Sequence, residues 1–165
     1  MRIIITGTPG TGKSSIAKAL GRRIKCMVVN EQQFALEKKI GKWDCDEGEL
    51  IIPLQQFARE LNKLLAKEKD IILEGHLLCE LRLPKADFVV LLTVKPEELE
   101  KRLPARGYSE LKVQENVFCE ANDYCKKRVL RNYKKGKVLQ VDAGKTIKEI
   151  TLDIISKLRE KGAKI

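Results

Sequence analysis

Residues 7–14 match the pattern G-x-x-x-x-G-K-[ST], and this match constrains the fold more than any other feature of the chain. The short β-branched apolar stretch 1–6 precedes the pattern and predicts a buried strand, and a helical pattern begins at Ser15. A strand, a glycine-rich loop and a helix form the arrangement in which backbone N–H groups and a helix N-terminus cradle phosphate groups. We therefore expect this segment to bind a triphosphate.

The loop supplies specific candidates for nucleotide binding. Lys13 is expected to reach the β and γ phosphates, and the hydroxyl of Ser14 is expected to hold Mg²⁺. ATP and Mg²⁺ are therefore the predicted cofactors. The residues of this loop that are predicted to contact the nucleotide are Gly10, Thr11, Gly12, Lys13, Ser14 and Ser15.

Length and composition limit the class of protein. The chain has 165 residues, a length that predicts one domain spanning 1–165. Its apolar runs are far shorter than the roughly 18 residues of a membrane span, and the first predicted strand begins without a charged and apolar leader. We therefore expect a cytoplasmic protein without a membrane contact. Five scattered cysteines form no C-x-x-C pair, so we expect small buried residues instead of a disulfide framework or a zinc site.

The net charge is +10, and the excess is unevenly distributed. The stretch 126–137 contains seven basic residues and no acidic one. Such a run favours an anionic partner, and contact with RNA is one interpretation. Binding of a nucleotide phosphate and an ordinary solvated helix are the alternatives.

The remaining chain alternates between strand and helix patterns. Apolar runs predict further strands at 26–29, 70–74, 87–93 and 137–141, and apolar residues at helical spacing separate them. This order predicts an α/β fold with three layers, in which helices cover both faces of a five-stranded parallel sheet. Ligands bind such sheets beyond the carboxyl ends of the strands. Polar residues at those ends are Asn30, Glu31, Glu74, His76 and Asp142.

Glu74 and His76 are the candidates for chemistry at one of these strand ends. Enzymes with a phosphate-binding loop place a carboxylate at this position to hold Mg²⁺, so we predict Glu74 as a metal ligand with Ser14. His76 is the only histidine in the chain. A histidine here can orient the attacking water or hydroxyl near the γ-phosphate, and the alternative is a structural or surface histidine.

A basic segment after the fourth predicted strand has the composition of a mobile lid. It contains Arg102, Arg106 and Lys112, together with Pro104 and Gly107. Charge accumulates on the equatorial oxygens during phosphoryl transfer, and the planar guanidinium of arginine stabilises it. A lid that closes over the nucleotide would bring arginine there and exclude water. A solvent-exposed basic loop is the alternative.

Three motifs together resemble the adenylate kinase isoenzyme 6 family, also called coilin-interacting nuclear ATPase, among the P-loop nucleoside monophosphate kinases. They are Gly-Thr-Pro-Gly-x-Gly-Lys-Ser at 7–14, acid-x-His at 74–76, and Arg-Gly-Tyr-Ser-Glu-x-Lys at 106–112, with Glu115, Asn116 and Glu120 following. The resemblance covers nearly the whole chain. It implies the reaction of ATP and AMP to two ADP, intrinsic ATPase activity, and a role in maturation of the small ribosomal subunit.

The resemblance also assigns partners and segments. It implies binding to ribosomal protein uS11 in pre-30S particles, to which the basic run 126–137 would add contact with rRNA. It further implies that 30–52 form the insert that binds the monophosphate, that 105–115 form the lid, and that Arg106 contacts ATP.

The sequence departs from this family on the acceptor side. Glu74 stands where the family usually has aspartate, and 32–36 replace a Gly-Asp-Leu segment that is accompanied by an arginine. Adenylate kinases place Pro-Arg after the third strand, but this chain has Leu77 and Leu78. The alternatives are therefore an ATPase with little kinase activity and a kinase for another small metabolite. Basic residues that could replace the arginine are Lys38, Lys39 and Arg82.

Overall fold

The structure is a computed structural model that describes residues 1–45 and 48–165. Within these residues the strands are β1 (Arg2–Thr6), β2 (Met27–Asn30), β3 (Lys42–Asp44), β4 (Glu49–Ile51), β5 (Ile71–Glu74), β6 (Phe88–Thr93) and β7 (Val138–Asp142). The α-helices are α1 (Lys13–Ile24), α2 (Glu31–Glu37), α3 (Leu54–Lys67), α4 (Pro96–Arg102), α5 (Glu110–Ala121), α6 (Tyr124–Asn132) and α7 (Ile147–Glu160).

Five of the strands form one parallel sheet in the order β2-β5-β1-β6-β7. The central strand β1 pairs with β5 on one side and β6 on the other, so that Ile4 lies opposite Leu73 and Val89. These three strands read as continuous apolar runs because both of their faces are covered. The predicted α/β fold with a five-stranded parallel sheet is confirmed, with strand ends shifted by at most one residue.

Helices cover both faces of the sheet and divide the core in two. Ile3 and Ile5 of β1 pack with α1 and α7, whereas Ile4 points to the opposite face and packs with α3 and α6. This alternation follows from the two-residue period of a strand. Phe57 of α3 is fully buried in the second core. The three predicted layers are therefore α1 and α7, the sheet, and α3 with α6.

The segments predicted as insert and lid contain helices and strands of their own. The predicted insert 30–52 begins with the last residue of β2 and contains α2 and the antiparallel hairpin β3–β4. Residues 46 and 47 of this insert lie outside the described residues. The predicted lid 105–115 includes the end of a short 3₁₀ helix, Pro104–Arg106, and the start of α5. The segment of the predicted lid therefore passes into α5 at Glu110.

Two further findings concern cysteines and membrane contact. Cys79 and Cys125 are buried, but Cys45 is exposed and the remaining two are half-buried, so the expectation of five buried cysteines is wrong. Burial follows position instead of residue type, because Cys45 lies in the hairpin outside both cores. In the described part of the chain, no helix combines the length and the apolar character needed to cross a membrane.

Candidate active site

The glycine-rich loop turns tightly between β1 and α1, at the carboxyl edge of the sheet. Gly12 has φ of 85°, a left-handed conformation that favours glycine, and it immediately precedes the first residue of α1. A side chain on Gly7 would lie 2.4 Å from the carbonyl oxygen of Leu92. The Thr11 hydroxyl donates a hydrogen bond of 2.9 Å to the Thr8 carbonyl oxygen and closes the turn. These contacts explain why the loop requires small residues at these positions.

Lys13 directs its ammonium group into this loop. Nζ donates hydrogen bonds to the carbonyl oxygens of Gly7, at 2.9 Å, and Thr8, at 3.0 Å. Burial lowers the pKa of the Lys13 ammonium, and the carboxylate of Glu31 is the strongest opposing influence. The guanidinium of Arg106 lowers this pKa further. Nζ of Lys13 therefore lies inside the loop, within electrostatic range of Arg106.

Ser14 and Glu74 come together because β1 and β5 are neighbours in the sheet. The Ser14 hydroxyl donates to Glu74 Oε2 at 3.1 Å, and the Asn30 side-chain amide donates to Glu74 Oε1 at 2.6 Å. Glu74 is 4% exposed. A hydroxyl and a carboxylate are the hard oxygen ligands that Mg²⁺ prefers, so the predicted metal pair fits this ion.

His76 contacts a carboxylate that the sequence did not assign to it. His76 Nδ1 lies 2.8 Å from Glu31 Oε1. The same oxygen accepts hydrogen bonds from the backbone N–H groups of His76, at 2.7 Å, and Leu77, at 3.2 Å. Glu31 is 5% exposed, whereas the His76 side chain is 53% exposed. The imidazole ring is thus anchored on one side and open on the other.

A second carboxylate links the loop to α5. Thr8 donates its hydroxyl hydrogen to Glu120, and the backbone N–H of Val94 donates to Glu120 Oε1 at 2.8 Å. Cys125 Sγ lies 3.7 Å from the Thr8 hydroxyl. A hydrogen bond with Cys79 lowers the pKa of the Cys125 thiol. The loop therefore rests on α5 and α6 through buried polar contacts.

A groove of about 280 Å³ extends from the loop toward the segment after β7. Arg102 and Ala143 both line it, and the Arg102 guanidinium donates two hydrogen bonds of 3.2 Å to the Ala143 carbonyl oxygen. Arg106 itself is exposed in the 3₁₀ helix. The groove is lined by residues that include Thr11, Ser15, Arg102, Ala143, Lys145 and Ile147.

Known proteins are similar in sequence to this chain over almost its full length. A family model described as an AAA domain matches residues 3–123. A "Putative adenylate kinase" from Pyrococcus furiosus is 38% identical over 157 residues, which cover 94% of this chain and 83% of that protein. A protein of the same name from Methanocaldococcus jannaschii is 33% identical over 163 residues, or 98% and 88%. The chain belongs to this family of adenylate kinase-like P-loop proteins.

A solved structure supports the fold of the adenylate kinase-like family. Shikimate kinase from Aquifex aeolicus superimposes with a TM-score of 0.68 at 18% identity, covering 98% of each chain. At this identity the likeness shows the shared fold alone. The relatives therefore give the family of this chain, and the superposition shows that it has the fold of shikimate kinase.

For this adenylate kinase-like protein, sequence reasoning found the loop, Glu74 and His76 but missed how they are held. Asn30 and Glu31 were candidates only because they follow a strand. Their hydrogen bonds to Glu74 and to the His76 segment depend on the neighbouring position of β2 and β5. Glu120 was part of the resemblance, but its contact with Thr8 spans 112 positions in sequence and no local pattern indicates it.

Proposed function

We propose that the protein is an ATP-dependent nucleoside monophosphate kinase, with AMP as the expected acceptor and with an intrinsic ATPase activity. The observation that carries this proposal is the ammonium of Lys13 inside the glycine-rich loop, next to the Ser14–Glu74 pair. Two relatives that match most of this chain, each named "Putative adenylate kinase", support the choice of acceptor.

The proposed reaction transfers the γ-phosphoryl group. An oxygen of the acceptor phosphate bonds to the γ-phosphorus, the bond from that phosphorus to the β,γ-bridging oxygen breaks, and ADP leaves. Lys13 neutralises charge on the transferred group from the loop, and Arg106 does so from the lid. Magnesium held by Ser14 and Glu74 would neutralise charge on the phosphate oxygens.

The acceptor is proposed to bind between the glycine-rich loop and the insert 30–52. The basic residues available there belong to separate segments. Lys38 follows α2 with Nζ 5.8 Å from the centroid of the Phe34 ring, and Arg82 is exposed beyond the 3₁₀ helix Leu77–Cys79. In this proposal one of these two cations, or Lys39, binds the acceptor phosphate in place of the arginine that adenylate kinases use.

Product analysis tests the kinase proposal. With Mg-ATP and AMP, we expect two molecules of ADP for each ATP consumed, with little inorganic phosphate. With Mg-ADP alone, we expect ATP and AMP to appear, because the transfer is reversible and hydrolysis is not under these conditions. The same assay with the other nucleoside monophosphates ranks the acceptors. Formation of ADP and inorganic phosphate in equal amounts, at a rate that no monophosphate changes, would contradict the kinase proposal.

A second candidate function is an ATPase that acts in maturation of the small ribosomal subunit. The anchored His76 favours it, because an imidazole fixed beside the site can orient water as the acceptor. The family resemblance suggests ribosomal protein uS11 and pre-30S particles as partners. The surface of α6 supports contact with rRNA.

The basic run 126–137 lies on α6 and the 3₁₀ helix that follows. Lys126 pairs with Asp123 at 3.3 Å, and Arg128 pairs with Glu80 at 3.3 Å. By contrast, Lys127 and Arg131 are exposed, and within the described residues their side chains form no ion pair or hydrogen bond. Lys134 is also exposed and unpaired there. These three cations are available for phosphate groups.

Replacing Lys127, Arg131 and Lys134 with alanine should weaken binding to a single-stranded rRNA fragment about 10-fold. Each lysine or arginine that contacts a phosphate releases counterions. The plot of log affinity against log salt concentration should therefore be less steep for the triple variant than for the unaltered protein, by about 2 in slope. Fluorescence anisotropy over a series of salt concentrations measures both quantities.

The matched control removes three exposed lysines from other surfaces, Lys67, Lys85 and Lys148. It changes the net charge equally, so it separates a local RNA site from general attraction. If both triple variants lose the same affinity, or neither loses any, the proposed contact with rRNA is wrong.

A further inference from the structure

The carboxylate of Glu31 has an uneven set of contacts. Oε1 lies near three nitrogen atoms, namely His76 Nδ1 and the backbone nitrogens of His76 and Leu77. Oε2 is buried and has no hydrogen-bond partner within the described residues. Buried polar atoms normally have hydrogen-bond partners. In this carboxylate all the described partners are on Oε1, so Oε1 is the atom that holds His76 and its backbone in place.

These contacts determine which nitrogen of His76 carries hydrogen. Oε1 accepts hydrogen bonds from two backbone N–H groups, and an oxygen of an ionised carboxylate can only accept. Nδ1, at 2.8 Å from this oxygen, must therefore donate a hydrogen. In the neutral imidazole only one nitrogen carries hydrogen, so Nε2 is left with a free lone pair. Nε2 lies on the side of the ring away from Glu31.

The backbone is arranged to place Glu31 at this point. Asn30 caps α2 by accepting a hydrogen bond from the backbone N–H of Gln33, and its side-chain amide also holds Glu74. Glu31 is therefore the first residue of a capped helix, next to the residue that fixes the predicted metal ligand. Gly75 leaves the space: a Cβ there would lie 1.9 Å from the Glu31 carboxyl carbon.

Glu31 is also electrostatically linked to the glycine-rich loop. Among the carboxylates, it most strongly opposes the lowering of the Lys13 pKa, ahead of Glu74. Its negative charge therefore lies close enough to Lys13 to affect it, although Glu31 is almost fully buried. The Glu31–His76 pair thus borders the phosphate-binding part of the site.

We propose that Glu31 is a positioning residue that holds His76 in the Nδ1–H form, with Nε2 free to accept a proton from the group that attacks the γ-phosphorus. As the attacking oxygen bonds to that phosphorus, the bond to the β,γ-bridging oxygen breaks, ADP leaves, and the proton of the attacking group passes to Nε2. Because the carboxylate also holds the backbone of His76 and Leu77, it fixes the ring and the chain that carries it. The attacking group is water or an acceptor hydroxyl, since an ionised acceptor phosphate has no hydrogen to give. The catalytic part of this inference rests on the proposed ATPase activity, in which water is the acceptor.

The tautomer can be measured without turnover. His76 is the only histidine, so protein labelled with ¹⁵N in its histidine ring gives one pair of ring signals. Spectra are recorded as the pH is raised until the ring signals stop moving, and the tautomer is read from that final spectrum. We expect Nδ1 to carry the hydrogen and Nε2 to be unprotonated. A neutral ring with hydrogen on Nε2, the form favoured by histidine free in water, would overturn the proposal.

Variants of Glu31 connect the tautomer to catalysis. Glu31→Ala should shift the ring toward the Nε2–H form and lower kcat for ATP hydrolysis about 10-fold to 100-fold, with KM for ATP changed less than about threefold. Glu31→Gln is the conservative control, because its amide oxygen can accept the same three N–H groups. It should retain the Nδ1–H form and most of the activity lost in the alanine variant.

A double-mutant cycle separates positioning from general support of the fold. If Glu31 acts through His76, Glu31→Ala should lower kcat by less than about twofold in a His76→Ala background. An equal loss in both backgrounds would contradict the proposal. If the alanine variant fails to fold, the spectrum of the unaltered protein still decides the tautomer. If the protein shows no phosphoryl transfer, the proposed function fails, but the spectrum still tests the role of Glu31.

Discussion

Lys13→Ala should reduce turnover of Mg-ATP by about 10²-fold to 10³-fold, whether the acceptor is AMP or water. The ammonium lies inside the glycine-rich loop, where it meets the charge that develops on the transferred group. Removal of one well-placed electrostatic contact from a transition state has an effect of this size. Steady-state assays of ADP formation measure the loss, and isothermal titration with a non-hydrolysable ATP analogue measures the affinity of the loop.

The structure also predicts that this loss does not come from unfolding. Burial lowers the pKa of the Lys13 ammonium, which means that the folded state bears a cost for holding this charge. Its removal should leave the free energy of unfolding unchanged or slightly higher. Lys18→Ala, on the exposed face of the same helix, is the matched control and should keep full turnover. More than about a tenth of the original turnover in Lys13→Ala would contradict the assignment of the loop.

The sheet was predictable because its strands have unusual surroundings. β1, β5 and β6 are buried on both faces, so nearly every residue is apolar and the runs stand out from the sequence. Helices α3 and α7 were equally visible, because each presents a regular apolar stripe to the core. Local pattern and tertiary burial agree in these elements, which is why they could be placed without a structure.

The limits of helices α5 and α6 could not be read from the sequence for the opposite reason. Only Val113 of α5 is buried, and α6 buries only Cys125 and Val129. A helix with so few core positions has no readable apolar period, and the basic residues of α6 dominate its composition. The hairpin β3–β4 was missed because its strands have three residues each, too short for an alternating pattern.

The candidate site was predictable in its residue types but not in its connections. Glu74 and Ser14 follow from motif and strand-end rules that describe single positions. The role of Glu31 requires two strands far apart in sequence to become neighbours, and then requires one oxygen to meet three nitrogens. Gly75 shows the same limit. The structure shows the Glu31 carboxyl group in the space that a side chain at this position would need, and no local pattern in the sequence indicates this contact.

Gly75→Ala should lower the free energy of unfolding by about 2 kcal/mol or more and should also impair turnover. The new methyl group would lie 1.9 Å from the Glu31 carboxyl carbon and 2.0 Å from Oε2, so the buried carboxylate must move. The backbone N–H groups of His76 and Leu77 would then lose their acceptor, at a cost of about 1–3 kcal/mol each where water does not replace it. For a chain of this size the melting temperature should fall by about 5 °C, which calorimetry measures.

Two comparisons show whether the clash with Glu31 is the cause. Gly136→Ala is the matched control, because a Cβ there meets no atom within 4 Å, and it should leave the melting temperature unchanged. In a Glu31→Ala background the obstructing carboxyl group is gone, so Gly75→Ala should have little additional effect on stability. If Gly75→Ala is as destabilising in that background as in the natural sequence, the carboxylate does not occupy the space beside Gly75. The buried Glu31–His76 arrangement would then be wrong, because that position of the carboxylate is what brings Oε1 to all three nitrogens.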